Sequence, residues 1–315
     1  MSTAPFTRLS ISESIVALKK EKNALILAHY YQHSDLQDVA DMVGDSLQMA
    51  QYACASTADI LVVAGVFFMA ETAKILNPSR KVLLPDLEAG CSLADSCQPN
   101  EFKAFIEKYP GSPVVTYVNC SAEIKAMSDV VCTSSNAVKI INSIQSDKPI
   151  IFAPDINLGK YLMKQTGREL LLWNGSCVVH ENFSIDKVLE LHRLHPKAKF
   201  IAHPESQPHI LRIASYIGST KGMIDFVRQD SCNEFIVATE AGILHQMHKE
   251  VPAKTLIPAP AHEDNTCACS ECPYMKMNTL EKLFDCLLNE QPEIKVNEAT
   301  HLRAAIALNR MLSLS

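Results

Sequence analysis

The sequence of 315 residues contains no apolar run that approaches the length of a membrane span. Its first residues, MSTAPFTRLSIS, lack the basic-then-apolar pattern of a signal peptide. Positive charge is also scarce, because 29 Lys and Arg residues stand against 35 Asp and Glu residues. The net charge of −6 argues against nucleic acid as the main partner, since phosphate backbones need clustered cations. We therefore expect a cytoplasmic protein with neither a membrane nor a nucleic acid as its partner.

Cysteine, by contrast, is abundant, with 11 residues in the chain. A reducing compartment disfavours a disulfide framework, so this number of cysteines favours roles in metal binding or catalysis. The familiar motifs are missing, however: the chain has no CxxxCxxC, no CxxCxxCxxxCP, and no second pair that would complete a zinc ribbon. A local zinc knuckle formed by Cys267, Cys269, Cys272 and His262 remains an alternative.

An internal repeat is the most informative feature of the sequence. Three 20-residue segments align without a gap at spacings of 88 and 86 residues, and they are Leu27–Ser46, Val115–Ser134 and Ile201–Thr220. Each segment begins where an apolar strand ends and closes on a small hydroxyl residue. Further buried strands follow in each case: first ADILVVAG, SDVVCTS and NEFIVAT, and then, after a helical stretch, KVLLPD, KPIIFAPD and KTLIPAP. The pattern predicts strand–helix–strand–helix–strand units, although the second unit lacks the helix that the first and third units have before their second strand.

These repeats predict an α/β fold of three pseudo-threefold units around a central cavity, each a small parallel sheet sandwiched by helices. Residues 1–112 form the first unit with an N-terminal helix, and residues 113–198 the second. Residues 199–315 form the third unit with the C-terminal helices. Loops at the carboxyl ends of parallel strands usually bind ligands, so equivalent loops should face the same cavity.

Equivalent positions of the repeat carry residue types that suit a polar site. They are His29, Tyr117 and His203; Tyr31, Asn119 and Glu205; and Ser46, Ser134 and Thr220. A cysteine also follows the last predicted strand of each unit: Cys91, Cys177 and Cys272. Because one cysteine comes from each unit, the cavity would receive three thiolates, and we predict that they hold a four-iron cluster. Three protein ligands would leave one iron of that cluster open as a Lewis acid.

Several stretches together resemble the quinolinate synthase family, in order and over nearly the whole chain. They are AHYYQ, GDS, LVVAGVFFMAETAKIL, CSLADSC, YVN, CTSSNAVKI, LWNGSCVVHE, HPES, GST and TCACSECPYMKMN. The resemblance implies three α/β domains around one [4Fe–4S] cluster per chain. It also implies condensation of iminoaspartate with dihydroxyacetone phosphate to quinolinate, with loss of phosphate and two waters, in de novo NAD synthesis.

The resemblance also implies a role for individual residues. It makes Cys91, Cys177 and Cys272 the cluster ligands and leaves Cys97 free. Tyr31 becomes an acid–base residue, His203 and Glu205 serve the later steps, and Tyr117, Asn119 and His180 contact substrate. The sequence departs from a common family form, CxxCxxC, because one residue is missing between Cys267 and Cys269.

The chemistry of these substrates assigns the remaining positions. His29 joins the acid–base groups and the substrate contacts, and Ser46, Ser134 and Thr220 offer hydroxyl and N–H groups to substrate anions at predicted helix starts. A different iron–sulfur hydro-lyase is the main alternative function, and a zinc-stabilised binding protein is the non-enzymatic one. Because iminoaspartate hydrolyses readily, a transient contact with the aspartate oxidase that supplies it is a further expectation.

Overall fold

Short runs of Val, Ile and Leu alternate with capped helical segments, and this alternation builds the sheets. In the computed structural model, which describes residues 10–262 and 270–315, the strand Ile60–Ala64 is buried at every position. Such burial is expected of a parallel strand covered by helices on both faces. The helices start at polar caps. Asp45, for example, accepts a hydrogen bond from the backbone N–H of Gln48.

The described elements repeat one order three times between flanking helices. The first helix is α1 (Ile11–Glu21). The first unit comprises β1 (Ala24–His29), α2 (Ser34–Val39), β2 (Met42–Gly44), α3 (Ser46–Ala55), β3 (Ile60–Ala64), α4 (Phe67–Leu76), β4 (Lys81–Leu83), α5 (Ser92–Asp95) and α6 (Pro99–Glu107). The second comprises β5 (Val114–Tyr117), α7 (Ala122–Ala126), β6 (Val130–Cys132), α8 (Ala137–Ser143), β7 (Ile150–Ala153), α9 (Ile156–Thr166), β8 (Leu170–Leu172), α10 (Val178–Glu181) and α11 (Ile185–Leu194).

The third unit is followed by the C-terminal helices. It comprises β9 (Lys199–Ala202), α12 (Pro208–Leu211), β10 (Tyr216–Ile217), α13 (Thr220–Gln229), β11 (Glu234–Ala238), α14 (Ile243–Glu250), β12 (Thr255–Pro258) and a 3-10 turn, Met275–Met277. The C-terminal helices are α15 (Leu280–Asn289) and α16 (Glu298–Ser313). No helix in the described ranges combines the length and the apolar character that crossing a bilayer requires.

Within the described residues, the strands form three four-stranded sheets, all parallel and all in the same order. The orders are β2-β1-β3-β4, β6-β5-β7-β8 and β10-β9-β11-β12. In each sheet the second strand of the unit lies on one side of the first strand, and the third and fourth strands lie on the other side. The chain therefore changes direction across the sheet at the first strand, and such a switch point opens a crevice at the carboxyl edge. The predicted α/β class with three like units is confirmed.

Each unit has one strand more than the sequence analysis predicts. β2 and β10 are only three and two residues long, so they give no hydrophobic run that could be recognised. We matched β6 to the third strands of the other units, whereas the structure makes it equivalent to β2 and β10. The predicted absence of a helix from the second unit is therefore wrong, because all three units share one order of elements.

Among the described residues, the C-terminal helices pack mainly on the first two units. α15 lies against α1, and α16 lies against α4 and α7. One face of α16 buries Ala304, Ala307, Leu308 and Met311 in a core that also contains side chains of both units. The end of the chain thereby holds the first and second units together.

Candidate functional site

A cavity lies where the carboxyl edges of the three sheets face one another. Every site residue predicted from the sequence lines it: His29, Tyr31, Ser46, Cys91, Tyr117, Asn119, Ser134, Cys177, His180, His203, Glu205, Thr220 and Cys272. Apolar side chains, including Val66, Phe68, Met69 and Met275, complete the wall. The cavity thus combines an apolar lining with a few convergent polar groups, as small-molecule sites usually do.

The three cysteines occupy equivalent places in their units. Each follows the fourth strand of its sheet and stands just before a short helical turn: Cys91 caps α5, Cys177 caps α10, and Cys272 precedes the turn Met275–Met277. Backbone N–H groups at the start of each turn therefore face the sulfur and favour its thiolate. Sulfur atoms that hold a metal centre commonly receive such N–H groups.

Burial nevertheless favours the protonated thiols. It raises the pKa of Cys91 to about 12 and also raises the pKa of Cys177 and Cys272. The three sulfurs lie close enough that each thiolate would raise the pKa of another. A positive metal centre between them would reverse this balance, because metal binding deprotonates thiols.

Other groups of the cavity extend this donor set. Cys177, His180 and Glu205 offer ligand atoms within 4.8 Å of one another, which is compatible with metal binding. No cysteine of the described ranges is in a disulfide. The alternative zinc knuckle includes Cys267 and Cys269, which lie outside the described residues, while Cys272 lines the cavity with the cysteines of the other two units.

His29 and His203 are fixed by the same local contact at equivalent positions of the repeat. The backbone N–H of Tyr31 donates to Nδ1 of His29 at 3.2 Å, and that of Glu205 donates to Nδ1 of His203 at 3.4 Å. Each ring therefore carries its proton on Nε2. Burial lowers the pKa of both rings to about 3, so they are neutral donors at physiological pH.

Glu205 is a buried carboxylate beside two histidines and one tyrosine. Burial alone would raise its pKa, but His180, His203 and the Tyr117 hydroxyl outweigh burial and lower the pKa to about 2. Tyr117 Oη donates to Glu205 Oε1 at 2.5 Å. His180 Nδ1 lies 3.3 Å from Oε2, and His203 Nδ1 lies 3.6 Å from Oε1. Burial raises the pKa of Tyr117, so its hydroxyl keeps its proton.

Tyr31 and His180 meet at Thr239, a residue the sequence analysis did not single out. Tyr31 Oη lies 2.6 Å from Thr239 Oγ1, and His180 Nε2 lies 3.0 Å from the same oxygen. Asn119 Oδ1 is a cavity atom that is buried without a hydrogen-bond partner. Buried polar atoms are rarely left unpaired, so this oxygen is suited to a bound ligand.

The three predicted hydroxyl residues, Ser46, Ser134 and Thr220, lie on the cavity wall, but their local structures differ. Ser46 and Thr220 are the first residues of α3 and α13, as expected for anion contacts at helix N-termini. Ser134 is different, because α8 begins at Ala137 after the cap Asn136. Its hydroxyl lies 3.1 Å from His203 Nε2 instead. The predicted helix start at Ser134 is therefore wrong.

Glu240 and Lys276 form a second feature that the sequence did not reveal. Glu240 follows Thr239, lines the cavity and is wholly buried. Its carboxylate pairs with Lys276 Nζ at 3.0 Å and accepts the backbone N–H groups of Cys272 and Gly242. Lys276 Nζ also donates to the carbonyl of Tyr31 at 2.9 Å. One buried ion pair thereby holds both Tyr31 and Cys272. The repeat alignment stops short of these two residues.

Comparison with known proteins agrees with this arrangement. The family model described as quinolinate synthetase A protein matches residues 13–313. A quinolinate synthase of Gloeothece citriformis is 59% identical over 99% of this chain and 96% of its own length. Those of Microcystis aeruginosa and Trichodesmium erythraeum are 59% and 58% identical over 96% of this chain, covering 94% and 93% of their lengths. These matches support the quinolinate synthase reading and not a different hydro-lyase. The chain belongs to the quinolinate synthase family.

Proposed function

We propose that this chain condenses iminoaspartate with dihydroxyacetone phosphate to form quinolinate. One phosphate and two waters leave, in a transferase reaction of de novo NAD synthesis. The observation that carries the proposal is the convergence of one cysteine from each of three like units on a cavity that also holds histidine, tyrosine and carboxylate groups. Full-length similarity to proteins named quinolinate synthase supports the same conclusion.

The donor set of the cavity fits a [4Fe–4S] cluster held by Cys91, Cys177 and Cys272. Three buried thiols at equivalent places, each faced by backbone N–H groups, suit a soft metal centre better than a hard cation. When bound, such a cluster with three protein ligands supplies one open Lewis-acidic iron near the substrate.

The protein side chains would bind and orient the two substrates. The hydroxyls of Ser46, Ser134 and Thr220 and the N-termini of α3 and α13 suit carboxylate and phosphate groups. The neutral Nε2–H donors of His29 and His203 suit the same anions without adding positive charge. Asn119 Oδ1, which is unpaired, would complete the substrate contacts together with His180 and Tyr117.

Proton transfers would fall to Tyr31, His29, His203 and Glu205. Burial raises the pKa of Tyr31, so it enters the reaction as a neutral phenol. Glu205 enters as a carboxylate that donors hold in place, and it can accept a proton during the dehydration steps. Residues of all three units line the cavity, and a site that limits the access of water protects the imine and the condensed intermediates.

The supply of substrate and the compartment belong to the same proposal. Iminoaspartate hydrolyses in water, so we propose a transient contact with the aspartate oxidase that produces it. We place the reaction in the cytoplasm, where a reducing environment keeps the described cysteines as thiols.

The test is a product balance on the anaerobically purified protein. Iminoaspartate is generated in the assay from oxaloacetate and ammonium, and dihydroxyacetone phosphate is added. The proposal predicts one quinolinate and one phosphate formed for each dihydroxyacetone phosphate consumed. Dehydration of a hydroxy acid without consumption of the ketose phosphate would contradict it and favour the hydro-lyase alternative.

A further inference from the structure

The stretch that follows Cys91 leaves the first sheet and packs on the second unit. We call residues 92–107, which comprise α5 and α6, the bridging segment. Phe102 of this segment is completely buried and shares one hydrophobic core with residues of β5, α7 and β7. Cys91 therefore stands at the start of a segment that is anchored on the unit that carries Cys177.

Trp173 joins the bridging segment to the loop that carries Cys177. Its indole Nε1–H donates to the backbone carbonyl of Ser96 at 3.0 Å. Its ring meets Phe102 and Phe105 edge-on, with centroid separations of 5.9 and 5.5 Å. The indole nitrogen can only donate, and edge-on contacts favour one orientation of the ring. One side chain close to Cys177 in the sequence thus holds the bridging segment by both its polar and its apolar part.

Gly175 lets the same loop approach the bridging segment closely. Its N–H donates to the carbonyl of Pro154 at 3.2 Å, and its carbonyl accepts the N–H of Ile156 at 2.8 Å, so it is fixed just beyond the end of β7. A Cβ at this position would overlap Ser96 Oγ and would lie 2.7 Å from the carbonyl oxygen of Pro154. The Cys177 loop and the bridging segment are therefore in direct contact, in a place where only glycine fits.

We propose that Trp173 is a positioning residue that holds Cys91 and Cys177 in place before the cluster binds. The inference deepens the proposed [4Fe–4S] centre and rests on it. Cys272 is held differently, because its N–H donates to Glu240 of the third unit at 3.2 Å. Ligands that are already held together lose less conformational freedom on binding, so the contacts of Trp173 should strengthen retention of the cluster.

The fluorescence of the protein tests whether these contacts exist before the cluster binds. Trp173 is the only tryptophan of the chain, so the emission reports on this side chain alone. The emission maximum is measured anaerobically for iron-loaded protein, for protein stripped of iron by a chelator, and for urea-unfolded protein. We expect the stripped protein to keep the emission maximum of the loaded protein, because the indole stays on Ser96 without the cluster. A shift towards the unfolded value would overturn the proposal, since the two loops would then meet only around a bound cluster.

Two variants separate the indole hydrogen bond from the packing of the ring. Trp173→Phe keeps an aromatic ring but removes the N–H group. Phe105→Leu is the matched control, because it disturbs the packing around the same ring and leaves the indole N–H in place. The rate of iron loss to an excess of chelator and the melting temperature of the stripped protein are measured for the wild type and both variants.

We expect Trp173→Phe to lose iron roughly 3- to 10-fold faster than the wild type, as the loss of one hydrogen bond predicts. Phe105→Leu should lower the melting temperature without changing the rate of iron loss. The proposal is overturned if Trp173→Phe keeps its iron as the wild type does, or if Phe105→Leu loses iron equally fast, since Trp173 would then act only through packing. A wild type that takes up no iron and sulfide would instead refute the proposed cluster, and the inference would fall with it.

Discussion

The contacts of Glu240 predict a large effect of removing its side chain. Its carboxylate is wholly buried and receives Lys276 Nζ at 3.0 Å, the N–H of Cys272 at 3.2 Å and the N–H of Gly242 at 2.7 Å. Glu240→Ala leaves these donors without an acceptor. The Tyr31 loop also loses support, because Lys276 donates to the carbonyl of Tyr31.

The magnitude follows from the burial of each partner. Removing one member of a buried ion pair costs about 3–5 kcal/mol, and a hydrogen bond to a charged group contributes about 1.5–3 kcal/mol. The side chain of Lys276 is 13% exposed and can reach water after the change, which limits the loss. We therefore expect the free energy of unfolding to fall by about 3 kcal/mol.

Urea unfolding of anaerobic protein measures this change, with Glu250→Ala as the matched control. Glu250 lies in the same unit and pairs with Arg228 at 3.2 Å, but both side chains are substantially exposed. An exposed pair contributes less than about 1 kcal/mol. If Glu240→Ala costs no more than Glu250→Ala, the reasoning that Glu240 is a buried anchor is refuted.

Three further predictions concern a catalytic group, a close backbone approach and a surface carboxylate. Glu205→Gln should lower quinolinate formation by about 10²- to 10⁴-fold at unchanged iron content, and near-normal turnover would remove Glu205 from the mechanism. Gly242→Ala should lower both activity and melting temperature, because a Cβ there would lie 2.9 Å from the backbone carbon of Tyr31; an active variant that melts like the wild type would show that the Tyr31 loop can shift. Lys81 and Lys22 lower the pKa of Glu290 from 4.5 to about 2, so its contribution to stability is present above pH 4.5 and is lost as pH falls towards 2. The melting temperature of the wild type should therefore exceed that of Glu290→Gln at pH 7 and converge with it on acidification, whereas a constant difference would contradict the shift.

The sequence predicted the fold as far as hydrophobic runs could indicate it. The ungapped repeat placed β1, β5 and β9 correctly and led to three like parallel sheets. It did not reveal β2 and β10, because two or three residues cannot show a period. The packing of α15 on α1 and of α16 on α7 was also hidden, since an amphipathic helix shows that it is buried on one side but not what covers it.

The same limit explains which site residues were found. Tyr31, Cys177 and Glu205 stand at repeat positions or in motifs, so the sequence could bring them to one cavity. Thr239 and Glu240 lie directly after β11, beyond the aligned repeat segments, and their role depends on partners far away in the chain. Thr239 contacts Tyr31, which is 208 residues away. Local spacing carries no signal of such contacts.

The iron and sulfide content of anaerobically purified protein shows whether Cys91, Cys177 and Cys272 hold a cluster. Wild type, Cys91→Ala, Cys177→Ala, Cys272→Ala and the control Cys97→Ala are compared, Cys97 being buried outside the cavity lining. We expect about four irons and four sulfides per chain in the wild type and in Cys97→Ala, and loss of the cluster from the other three variants. A protein that holds zinc instead, or that keeps its iron without Cys91 and Cys177, would contradict this expectation.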